Sequence, residues 1–218
     1  MDKFLTFIVV LVGWIFSLSL HEFAHALVAY LGGDTSVKEK GYLTFNPLKY
    51  THPIFSIALP LLFLFMGGIG LPGGAVYIET WRLRGPKWRS AVALAGPTAN
   101  FILIILFAIL LQFAPSMPTS FWSGIAFLTL LQIYAVVLNL IPVPPLDGFG
   151  IIEPYLSREM LERIEPMRGM MIWIVFLVLW YIPFIGELFS TLIFNLADLF
   201  QIPFDLVAYG YQQFFFWK

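Results

Sequence analysis

His21-Glu22-Phe23-Ala24-His25 lies inside an apolar run from Phe4 to Leu31. Two histidines four apart on a helix differ by about 40° of rotation, so both imidazoles leave one face, one turn apart. That spacing suits a grip on a single Zn²⁺, with the intervening glutamate beside the ion as a general base. The run is 28 residues long, about 42 Å of helix, more than a hydrocarbon core requires. Ionisable side chains inside a membrane span are costly and mark function by default. The motif therefore decides the fold class and the chemistry together.

The rest of the composition agrees with a membrane setting. Hydrophobic residues make up 60% of the 218 and charged residues 11%, where a soluble domain carries roughly a quarter charged residues. The net charge of -1 gives no sign of a nucleic-acid partner. There are no cysteines, which excludes disulfides, thiolate ligands and a cysteine nucleophile. The first apolar run is too long for a cleaved signal peptide and holds the metal motif itself, so it reads as a retained transmembrane helix.

Working outward, Ser17 stands one turn before His21 on the same face, and Gly32-Gly33-Asp34 ends the helix. Thr35 to His52 is polar. Within it, the alternation from Gly41 to Pro47 suits a short strand or hairpin at the membrane surface, an edge with which an extended substrate could pair. His52, before Pro53, reads as a loop or interface residue rather than a ligand. Pro53 to Leu71 is apolar but short and contains Pro60. A basic, tryptophan-flanked stretch follows from Trp81 to Arg89, of the kind found at a cytoplasmic interface. Spans are expected at about Ala91 to Phe113, Phe121 to Ile141 and Met170 to Ile185. A charged amphipathic segment, Glu153 to Arg168, precedes the last of these. The tail after Glu187 reads as a final span or as an interfacial helix.

Topology turns on Pro53–Leu71. If it crossed fully, His21 and His25 would face the side opposite Asp147. As a re-entrant hairpin, it leaves Lys38, Lys40, Lys49, Arg82, Arg84, Lys87, Arg89, Arg158, Arg163 and Arg168 on one side, ten of the 12 basic residues. The positive-inside rule asks for that arrangement. The expectation is an all-α polytopic membrane protein, one domain over residues 1–218, with five to six transmembrane segments, a re-entrant hairpin and a short membrane-surface β element. The N-terminus lies outside and the site faces the cytoplasm.

Catalytic zinc takes three protein ligands and a water. Asp147 is the one acid close to the end of another span, the peripheral tail aside. Pro142, Pro144 and Pro145 forbid regular helix before it. Unwound backbone at membrane depth is tolerated where it is buried in protein or lines a wet cavity. A proline-rich arm ending in one carboxylate fits a ligand arm, and its charge offsets part of the ion's.

The set His-Glu-Phe-Ala-His, Ala95-Gly96-Pro97-Thr98-Ala99-Asn100 and Asn139 through Pro142-Val143-Pro144-Pro145-Leu146-Asp147-Gly148 resembles the site-2 protease family of zinc intramembrane metalloproteases. The likeness covers about residues 10 to 152, with C-terminal helices over 153–218, and is that of a minimal core without PDZ-like or CBS-like domains. It implies one zinc per chain on His21, His25 and Asp147, with Glu22 as the base. It also implies that Asn139 holds substrate or transition state, and that Asn100 and Gly96-Pro97 shape helix packing beside the site. The partners it implies are a transmembrane protein substrate and the lipid bilayer. The compactness of the chain, taken separately, suggests a bacterial inner membrane. The rival readings are a membrane metal transporter or sensor using the same residues, and a scaffold that binds helices without cutting.

Overall fold

The computed structural model describes residues 2–49, 76–115 and 117–215. α1 (Asp2–Gly32) is continuous over 31 residues. It stops where Gly33 turns to a φ of 117°, a conformation that costs a residue without Cβ little. The Gly33 and Asp34 amides then donate back to the carbonyls of Tyr30 and Ala29 at 3.2 and 2.9 Å, satisfying the helix end. A one-turn α2 (Ser36–Glu39) follows.

The stretch Gly41–Pro47 is not a strand. Gly41 closes a turn on Lys38, and the Asn46 side chain accepts from Leu48 N at 3.0 Å. The Thr44 hydroxyl accepts from Asn46 N at 3.2 Å. Side-chain oxygens here take the amides that a ladder would need. Among the described residues there is no β element. The Pro53–Leu71 hairpin and His52 lie outside the described residues. What flanks them is informative: Arg84 N donates to Gly32 O at 3.0 Å, so the chain comes back to the level at which α1 ended.

α3 (Pro86–Leu111) opens with proline in its first turn and carries Pro97 inside. α4 (Ser120–Asn139) is the central helix, and its apolar side chains are buried on almost every face. A helix apolar all round belongs in an interior. α5 (Asp147–Ile152) and α6 (Arg158–Ile164) are short and lead into α7 (Arg168–Tyr181). α8 (Pro183–Leu199) and α9 (Phe204–Phe214) close the described chain.

Among the described residues, four stretches are long and apolar enough to cross a membrane: Lys3–Gly32, Pro86–Leu111, Ser120–Asn139 and Arg158–Tyr181. The pair α8 and α9, bent by 119° at its break, makes a fifth if counted as one crossing. The described residues thus hold four to five spans where the sequence suggested five to six segments. The span expected from Met170 begins earlier, because α6 and α7 run on through Glu165–Met167 as a 24-residue helical stretch.

Lipid tails are as apolar as leucine, so helices associate by close packing, and small residues mark their crossings. Along the α1–α4 seam, Gly124 receives Val9 and Gly13 receives Leu128. At the far end the Thr6 hydroxyl donates to Ser120 O at 2.9 Å and meets the Gln213 side chain of α9. α9 lies on α4, where Gly210 abuts Ser123 O. α1 and α4 therefore run parallel, with α3 antiparallel between them. That arrangement brings the C-terminal half of α1, the start of α3 and the end of α4 to one level.

Candidate metal centre

α1 carries Trp14, Ser17, Leu18, His21, Glu22 and His25 along one stripe, and all of them line a cavity of about 740 Å³. His21 and His25 are both buried. Their Nε2 atoms approach to 3.0 Å, while His25 Nδ1 lies 2.6 Å from Val92 O of α3. That carbonyl accepts the Nδ1 proton and leaves Nε2 as the free donor atom of the ring, the outer contact that orients a metal-binding histidine. His21 Nδ1 is buried with no hydrogen-bond partner.

Asp147 reaches the histidines from the first turn of α5. After α4 ends at Asn139, Val143 N and Leu146 N donate to Ile141 O and Val143 O, so the proline-rich segment folds into tight turns. Gly148 then presses on the end of α4, where a Cβ would meet Ile141 O at 2.6 Å. Ser90 Oγ of α3 donates to Ile151 O at 2.6 Å and pins α5 from the other side. Asp147 Oδ2 stands 3.1 Å from His21 Nε2, and Oδ1 stands 3.4 Å from His25 Nε2. One atom from each of the three residues falls within a 4.8 Å group.

These donors fit a zinc ion. Two ligands on a tetrahedral ion with bonds of about 2.0–2.2 Å stand about 3.3–3.5 Å apart, close to the separations here. The donor set, two imidazoles and one carboxylate, is of the kind catalytic zinc takes. Space for it comes from Gly96 on α3, where a Cβ would lie 2.5 Å from His21 Nε2 and would overlap His25 Nε2 more closely still. Pro97 removes the helical hydrogen bond to the Ala93 carbonyl, and Ala93 lines the same cavity.

Glu22 is buried at 3% exposure, and its Oε2 accepts from Val76 N at 3.0 Å. Val76 belongs to a segment that passes over α1 and is held by Asp34. Asp34 Oδ2 accepts from Glu79 N at 2.7 Å, and its Oδ1 accepts from Ser36 N and Oγ at 3.0 and 2.6 Å. Lys40 Nζ meets Glu79 Oε1 at 2.9 Å and Arg82 Nε meets Oε2 at 2.5 Å. These two cations hold the Glu79 carboxyl below its ordinary range.

Asn139 and Asn100 also line the cavity, the latter with a buried Oδ1 that has no partner. Four residues here lie outside the set that the sequence pattern points to. Val76 and Asp34 fix the segment over Glu22. Trp14 and Gln132 line the membrane-depth end of the cavity and have no hydrogen-bond partners for Nε1 or for either amide atom. A signal did exist for Gln132, which stands one heptad before Asn139 on the same helix. The opposite end of the cavity is charged, with Arg89, Glu153 and Arg168.

The model of peptidase family M50 matches residues 6–120. "Putative zinc metalloprotease Rip2" of Mycolicibacterium smegmatis is 44% identical over 215 residues, covering 97% of this chain and 82% of the relative. The protein of that name from Mycobacterium tuberculosis is 42% identical over 214 residues, with the same two shares. "Putative zinc metalloprotease YwhC" of Bacillus subtilis is 33% identical over 196 residues, covering 84% of this chain and 87% of the relative. No solved structure matches. A likeness that runs through the motif helix and continues over nearly the whole sequence shows that the chain belongs to peptidase family M50.

Proposed function

We propose that this metalloprotease is a zinc-dependent intramembrane endopeptidase, cutting a peptide bond in or beside a transmembrane segment of another membrane protein. The observation that carries the reading is the convergence of His21, His25 and Asp147 with Glu22 in the same membrane-depth cavity. His21, His25 and Asp147 would hold the zinc. When bound, zinc supplies Lewis acidity, which acidifies water and polarises a carbonyl.

The chain's own residues supply the remaining parts. Glu22 accepts the proton of the attacking water and returns it to the leaving amine. The Val76 amide, donating to Glu22 Oε2, fixes the direction in which that carboxyl group points. Asn139, at the end of α4 and on the cavity wall, is positioned to hold the substrate backbone by its amide. The apolar walls keep bulk water from the peptide, while the charged mouth admits the water that hydrolysis consumes. A helical substrate hides its carbonyls in i to i−4 hydrogen bonds, so it must unwind locally within the cavity.

The basic residues support an orientation with the centre toward the cytoplasm. Lys38, Lys40, Arg82, Arg84 and Arg89 belong to the segments next to the site end of α1 and α3, as the positive-inside rule favours for that side. We place the protein in a bacterial inner membrane. The transport reading is disfavoured by Val10 and Leu128, apolar and almost fully buried, which close the bundle beyond Trp14 and Gln132.

The test is Glu22→Gln in the purified, zinc-loaded protein. Zinc content is expected to stay at the wild-type level while cleavage of a transmembrane substrate is lost. Full turnover by the variant would overturn the role of Glu22.

A further inference from the structure

The membrane-depth end of the cavity holds polar atoms that metal chemistry does not use. Val9 sits at Gly124 and Gly13 at Leu128, a register that advances one turn at a time on both helices. One turn further, Ser17 falls level with Gln132. On that register Gln132 lies about 9 Å below the level midway between His21 and His25. Its side chain is fully buried, lines the cavity, and has no partner for Nε2 or Oε1. Trp14 Nε1 on α1 is buried and unpartnered as well. Asn100 Oδ1, one turn beyond Gly96 on α3, is a third such atom.

A primary amide with both ends unpaired is unfavourable at this depth, because no lipid atom can replace water. Buried polar groups in native proteins have partners, and an exception calls for a ligand or an ordered water. The ligand that the cavity would receive under the proposed function is an unwound peptide. Unwinding frees backbone N–H and C=O groups in a medium that offers them nothing. A carboxamide offers a carbonyl acceptor and an NH2 donor on one edge, the complement of the N–H and C=O that one residue of an extended chain turns to the same side.

We propose that Gln132, with Trp14 and Asn100 beside it, is a subsite for the substrate backbone at membrane depth. This rests on the proteolytic reading above. An extended chain advances about 3.3 Å per residue, so a span of about 9 Å places the contact two to three residues from the scissile bond. The part of the substrate that reaches it is the part still inside the membrane. Because the contact is to backbone, it selects for segments that unwind rather than for a side chain.

The experiment uses a lysine-flanked, leucine-rich transmembrane peptide with a Gly-Ala centre, in detergent, bound to the zinc-loaded full-length protein carrying Glu22→Gln. Gln132→Met is compared in that background, since methionine keeps the volume and removes both polar atoms. Backbone ester bonds replace single amides at the second and third positions on either side of the Gly-Ala centre, each deleting one N–H donor. Zinc content is expected to be equal in the two proteins, and Gln132→Met to bind the all-amide peptide at least tenfold more weakly. At one of the ester positions binding should weaken in the parent and not in Gln132→Met. In the cleavage-competent protein, Gln132→Met should raise KM and leave kcat within about twofold. Equal binding by the two proteins, or an ester effect of the same size in both, overturns the subsite and leaves the protease reading standing. No binding by either zinc-loaded protein overturns both.

Discussion

Gly96 of α3 lies directly against the imidazole of His21: a Cβ there would stand 2.5 Å from Nε2, below any real contact distance. The space from which a side chain is missing is the space that the Nε2 atoms of His21 and His25 occupy. α3 thus contributes to the centre by what it lacks, and the Ala-Gly-Pro motif has a steric meaning that a helix-packing glycine alone would not have.

Gly96→Ala should therefore displace the His21 or His25 ring. Zinc affinity is expected to fall on the order of 10–100-fold, as for loss of a group that orients a ligand. Competition with a chelator, with circular dichroism confirming unchanged helix content, measures this. Wild-type affinity in a folded variant would mean that the rings have another way to reach the ion.

For Glu22→Gln, the expected fall in cleavage rate is roughly 10²–10⁴-fold, the usual contribution of a general base. Glutamine keeps the shape and can still accept from Val76 N by its carbonyl oxygen, so zinc should stay. Parallel zinc analysis and cleavage assays on one preparation separate loss of the base from loss of the metal.

Asp34 is completely buried and accepts from Ser36 N, Ser36 Oγ and Glu79 N. Replacing it by alanine leaves two amides without partners and takes away the acceptor of the Ser36 hydroxyl, which keeps only its contact with Lys40 Nζ, a cost on the order of 3 kcal/mol. Because Glu79 belongs to the segment that also carries Val76, Asp34→Ala should reduce cleavage as well as Tm. Thermal melts and cleavage rates of the variant test both effects. A variant with lowered Tm and full activity would show that the segment does not need Asp34 to align Glu22.

The Glu79 carboxyl, held below its ordinary value by hydrogen bonds from Lys40 and Arg82, gives a pH signature. A depressed carboxylate stabilises the fold above its unfolded pKa, and the contribution is lost as pH falls through the folded one. Glu79→Gln should therefore melt below wild type at neutral pH, with the gap closing in acid beneath the usual carboxylate range. The cluster is near the surface, so the gap at neutral pH should also shrink with salt. A gap that is constant with pH would exclude the ion pairs as its source.

That His21, Glu22, His25 and Asp147 converge was legible because the chemistry proposed for them needs rare residues at fixed spacing. His21, Glu22 and His25 follow from helix periodicity, and Asp147 from prolines that end helix at membrane depth. Gln132 escaped because α4 reads as uniformly apolar, and one amide in such a helix is conspicuous only once its wall is known. Val76 escaped because its role is carried by a backbone amide, which no side-chain pattern encodes. The strand expected at Gly41–Pro47 rested on alternation alone. Alternation cannot see that Thr44 and Asn46 take the local amides with their own oxygens. Gly96 was legible as a small residue, but not as a neighbour of histidines 75 and 71 positions earlier in the chain.

The most direct test is zinc per chain in the detergent-purified protein, wild type against Asp147→Ala. About one zinc is expected in the wild type, with a sharp fall in the variant and its helix content intact. No zinc in properly folded wild type would contradict the metal centre and the mechanism together. Undiminished zinc in the variant would leave the two histidines in place and remove Asp147 from the centre.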